Sequence, residues 1–204
     1  MFESRPSQKT SLHISGADKD EYLNKRNIIR FLAEAISCVL KYNNMNWVPP
    51  VSIPELLPNT SPLFTQSIEK AITHYCMEKE TLEYEPNGEI NLEELLQLSG
   101  TEAETHIRSC IRGYMEVVPR EDYYEHLYFI CFVCQLCVHA IRNENKFISS
   151  YIFAEAVDAF YARCHYHIHF INIIEAAVQY NSYHKRIHDD SDDDGFSTSS
   201  EDED

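Results

Sequence analysis

Residues 127–141 are apolar almost without interruption, only Gln135 and His139 standing among Leu, Phe, Ile, Cys, Val, Tyr and Ala. A bilayer crossing needs about 20 apolar residues. This shorter run therefore predicts a helix buried inside a fold, and a soluble chain. A helix with no polar face must be covered on every side.

Ile28, Leu32, Ile36, Val39 and Leu40 recur at helical spacing between Lys25, Arg26, Arg30, Glu34 and Lys41. They predict an amphipathic helix over 18–42, ended by Asn43 and Asn44. Five prolines (Pro49, Pro50, Pro54, Pro58, Pro62) make 47–62 a loop, because proline lacks the N–H a helix needs. A second helix is expected over 61–81, with Pro62 in its first turn. Pro86-Asn87-Gly88 is a turn, and a short helix over 92–98 ends at Gly100. Thr101 and Glu104 have capping-box spacing and predict a helix to about residue 115. Beyond Pro119, the apolar run belongs to a central helix over 121–142. A last helical stretch over 146–183 is broken near 163–165. The fold expected is all-α, a compact multi-helix bundle over 18–187 in one domain, with disordered ends at 1–17 and 188–204.

Charge is unevenly spread. The formal net charge is −16, and residues 189–204 carry nine acids and no Lys or Arg. Such a field repels phosphate backbones and anionic lipid, which argues against nucleic acid or membrane as partners and for a basic protein surface. Seven cysteines, an odd number, without a signal peptide point to a reducing compartment.

Glu83, Glu85, Asn87, Gly88, Glu89, Ile90, Asn91 and Glu94 fall at positions 1, 3, 5, 6, 7, 8, 9 and 12 of a calcium loop. Alternate oxygen ligands would wrap the ion, Gly88 would permit the sharp turn, and Glu94 would bind through both oxygens. Glu in place of Asp at position 1 crowds the ion, and Pro86 stands at position 4. An ion-free helix–loop–helix or a plain Asn-Gly turn is therefore expected ahead of a calcium site, with no bound cofactor.

The stretch Ile90-Asn91-Leu92-Glu93-Glu94-Leu95, followed by Thr101-Glu102-Ala103-Glu104, resembles the exit of one EF-hand and the start of its pair. Glu21-Tyr22-Leu23 and Ile28-Ile29-Arg30-Phe31-Leu32 resemble the first helix of the docking/dimerisation domain of protein kinase A regulatory subunits. Small ciliary and centrosomal adaptor proteins combine such a helix with degenerate EF-hands, and the resemblance covers residues 20–125. It implies a cytoplasmic adaptor at the centrosome or cilium. It also implies self-association as a homodimer or capture of a partner helix, with Ile28, Leu32 and Ile36 as the partner-binding face.

Cys131, Cys134, His165 and His169 are the best four for a zinc site, the two histidines sharing a helical face. Cysteines spaced by three inside an apolar helix do not converge on one ion, and free cysteine packs as a small hydrophobe. Core packing is therefore the expectation for the thiols, and a half-solvated helical surface for His165, His167 and His169. No phosphate-cradling glycine cluster, nucleophile elbow or metalloprotease helix occurs, and the chain is expected not to be an enzyme.

Ser191, Thr198, Ser199 and Ser200 each have an acid three residues on. That spacing resembles the substrate pattern of the acidophilic casein kinase. Each phosphate would add about −1.5 to −2 charge to the tail. The sequence reading is thus a non-catalytic adaptor or scaffold subunit with a phosphorylatable acidic tail that meets a basic surface. Its alternatives are an acidic nuclear regulator or chaperone of a basic protein, and a calcium-responsive helix–loop–helix.

Overall fold

The computed structural model describes residues 24–52, 63–78 and 100–191. Among the described residues there are six helices and no strand: α1 (Lys25–Tyr42), α2 (Gln66–Glu78), α3 (Thr101–Val117), α4 (Tyr123–Arg142), α5 (Lys146–Arg163) and α6 (His167–Ser191). The all-α bundle is as expected. The short helix over 92–98, the Pro86-Asn87-Gly88 turn and the larger part of the proline-rich loop lie outside the described residues.

The central position of α4 follows from its composition. It packs against α1, α2, α5 and α6, and more lightly against α3. Twelve of its side chains, from His126 to Ala140, are buried. By length and composition α4 is the one described helix able to cross a membrane, yet 67% of its apolar window is covered by the rest of the fold. The Asp122 carboxylate caps it by accepting from the Glu125 N–H at 3.1 Å.

Two further pairs complete the bundle. α3 lies along α5, and α2 lies along α6. α3 buries Ala103, Ile107, Ile111, Tyr114 and Met115, one stripe at helical spacing. The capping box expected at Thr101 is not formed. Gly100, at φ 57°, is the cap residue, and it has no side chain to cap this end. A left-handed cap suits glycine, which has no Cβ to clash there.

The core is aromatic where the elements meet. The ring of Phe160 in α5 stacks on Phe31 of α1 at 6.0 Å and on Phe129 of α4 at 5.9 Å. It meets Phe170 of α6 edge-on at 5.7 Å. Four helices thus converge on one side chain. The expected break between the last two helices is real: Cys164, buried, caps α5 through its N–H to Phe160 O at 2.7 Å, and α6 starts three residues later. α6 also continues to Ser191, beyond the end expected near 183.

α1 and α4 end in the same way. After α1, Asn44 is left-handed at φ 57°; its N–H bonds Lys41 O, and the Met45 N–H bonds Leu40 O. After α4, Glu144 is left-handed at φ 55°; its N–H bonds Ile141 O, and the Asn145 N–H bonds Ala140 O. Both are Schellman closures. Asn43 and Asn143, the two cap residues, each donate a side-chain N–H to a carbonyl four residues back at 2.9 Å. Asparagine tolerates this geometry better than most residues, so Asn43-Asn44 was a readable stop signal.

Candidate functional site

The apolar stripe proposed for partner capture is not at the surface. Ile28, Leu32 and Ile36 are each 0% exposed and belong to the core. The correction has a simple cause: α4 has no polar face, and α1 supplies one side of its cover. Half-exposed apolar side chains gather instead at the C-terminal ends of α1, α2 and α4. There a groove of about 490 Å³ is floored by Val39 and Val138, both nearly buried. Its rim carries Tyr42, 52% exposed, and Met77, 49% exposed.

The cap of α1 borders the groove. The Arg142 guanidinium donates to Asn43 Oδ1 at 2.8 Å, bridging the two helix ends. Arg142 puts positive charge beside the apolar floor. His139 also lines the groove; burial, and then the charge of Arg142, lower its pKa and favour the neutral ring. The arrangement suits an apolar side chain flanked by acids. Tyr42, Met77 and Arg142 were not singled out by sequence reasoning, because only the end-to-end placement of three helices brings them together.

Behind the groove lies a seam of thiols. Cys38 Sγ is 3.8 Å from Glu69 Oε1 and from Thr73 Oγ1, and Cys76 Sγ is 3.9 Å from Cys131 O. Burial pushes the thiols of Cys131 and Cys134 well up, and that of Cys164 up to about 12. These are protonated packing groups and poor nucleophiles. The four residues considered for zinc are not brought together. Cys131 and Cys134 face α2 and α1, while His169 lies at the other end of α4, 6.4 Å from the Tyr123 ring. Among the described residues no group of three or more His, Cys, Asp or Glu is placed to hold a metal ion.

The histidines gather more closely than expected, at the joint of α4, α5 and α6. His126 is 1% exposed, with Nδ1 2.6 Å from Asp122 O and its ring 6.4 Å from Phe160. His169 is 6.2 Å from His165, ring to ring. Burial lowers the pKa of His126 and, with repulsion from His165, that of His169.

Between α3 and α5, Glu155 is buried and accepts from Arg108 Nε at 2.9 Å, Arg112 Nε at 3.1 Å and the Tyr151 hydroxyl at 3.1 Å. All its partners come at i, i+4 spacing on two helices. The group clamps α3 to α5. A second concavity, beside Tyr124 and Gln179, is rimmed by Glu121, Asp122 and Glu175.

The calcium-loop residues Glu83, Glu85, Asn87, Glu89 and Glu94 lie outside the described residues, as do Thr198, Ser199 and Ser200. Ser191 is the last residue of α6. Compared with known proteins, the chain matches no protein-family model, no curated protein and no solved structure.

Proposed function

We propose that the chain is a non-catalytic adaptor whose helical body docks a protein partner in the groove at the ends of α1, α2 and α4. The observation that carries this reading is the pairing of half-exposed Tyr42 and Met77 with the nearly buried Val39 and Val138 beside Arg142. Apolar surface of this kind, rimmed by a fixed cation, favours a partner segment with one large apolar anchor and acidic flanks. The acidic tail then sets the charge of the assembly, and phosphorylation at Ser191, Thr198, Ser199 and Ser200 deepens it. On the resemblance alone, the proposed setting is the cytoplasm at the centrosome or cilium.

Proximity labelling with the full chain, with Met77→Glu and with residues 1–188 tests this. Loss of one partner set in Met77→Glu, retained in 1–188, supports the groove. Partners that persist in Met77→Glu and vanish with the tail overturn it in favour of an acidic regulator of a basic protein.

A further inference from the structure

The groove has a candidate occupant in the chain itself, and the direction of α6 brings it near. α6 runs along α2 in the same sense: Asn181 Nδ2 donates to Ser67 O at 2.8 Å, and the His184 ring lies 6.4 Å from that of His74. Met77 on the groove rim is three residues beyond His74. α6 continues seven residues past His184 to Ser191, about 10 Å of further helix. The chain that follows reads Asp192-Asp193-Asp194-Gly195-Phe196. Fully extended, these five residues span up to ~17 Å.

The chemistry matches the groove. Phe196 is the single large apolar residue in 189–204, and three aspartates precede it. The floor of Val39 and Val138 takes an apolar ring, and Arg142 stands beside it for the acids. Helix C-termini are the negative ends of their dipoles, which works against bound acids. Here the Asn43 and Asn143 side chains each donate to a carbonyl of the last turn, and Arg142 adds a positive charge against the dipole ends.

We infer that the C-terminal tail folds back and seats Phe196 in the groove between Tyr42, Met77 and Val138, so that a partner must displace it. The tethered segment faces the groove at an effective concentration on the order of millimolar, so a weak contact suffices. Displacement frees the polyanion at the moment the partner docks. This inference rests on the groove being a docking surface.

The test uses the full chain with methyl-labelled methionine, which gives four resonances in all. Met77 is assigned by its loss in Met77→Leu. A seated Phe196 ring shifts the Met77 methyl upfield, and Phe196→Ala is expected to remove that shift while melting temperature holds. The shift should be unchanged across a wide dilution series. A Met77 resonance that ignores Phe196→Ala overturns the inference. So does one that reverts on dilution, which would make the occupant the tail of a second copy. If the tail makes no contact but Met77→Glu still loses partners, the adaptor reading survives and only this inference fails.

Discussion

Arg142 Nη2 donates a 2.8 Å hydrogen bond to Asn43 Oδ1, joining the last residue of α4 to the cap of α1. The same asparagine donates through Nδ2 to Val39 O. One side chain therefore closes a helix and aims the cation of the groove. Asn43→Ala removes both bonds, with a net loss of about 1–2 kcal/mol. For a chain of this length that lowers the melting temperature by roughly 2–8 °C. Thermal denaturation followed by circular dichroism checks it.

Charge inserted into the α1 stripe should act on folding before it acts on binding. Leu32 is 0% exposed, and Leu32→Asp puts a carboxylate in the core without a partner. A loss above about 4 kcal/mol is expected, enough to unfold a marginal domain. Met77→Glu, at a half-exposed position, should stay within about 0.5 kcal/mol of the parent. Urea denaturation of the two variants side by side tests the difference.

Stability should fall as the solution is acidified through the histidine range. His126, His139 and His169 have lowered pKa values in the fold, chiefly from burial. Above the unfolded value of about 6.5 both states are neutral and the full stability is present. As pH drops below it, the unfolded chain takes up protons first, and stability is lost until the lower folded values are reached. His126→Asn keeps a donor toward Asp122 O and cannot ionise, so its melting temperature should fall less between pH 7.5 and 5.5. An unchanged slope would remove His126 from the account.

The thiols give a fourth check. Cys131, Cys134, Cys137 and Cys164 are buried with raised pKa values, whereas Cys38, Cys76 and Cys110 are only partly buried. Alkylation of the native protein followed by mass spectrometry should modify the first four only at the rate of global unfolding. Fast modification of Cys134 would contradict the packing of α4.

Periodicity and stop signals carried much of the fold. The all-round apolar run of α4 demanded burial, Asn43-Asn44 marked the end of α1, and Pro119 separated α3 from α4. The cap of α3 was misplaced by one residue, since Gly100 took a left-handed conformation that spacing alone does not reveal. The functional reading of α1 went astray for a physical reason. An amphipathic stripe looks the same whether it covers a core helix or awaits a partner, and only the all-apolar surface of α4 decides which. The groove was illegible because Tyr42, Met77 and Val138 belong to three helices with no local pattern in common. Glu155 was half legible, with Tyr151 at i, i+4 spacing on its own helix.

The central claim is that the ends of α1, α2 and α4 form the docking surface. Photocrosslinking from residue 77 of the full chain in cells, with the same probe at Tyr183 on α6 as reference, tests it most directly. The account predicts an adduct with one defined partner from position 77, absent at 183 and lost when Arg142→Glu is added in the same chain. Equal adducts from both positions, or an adduct indifferent to Arg142→Glu, would contradict it.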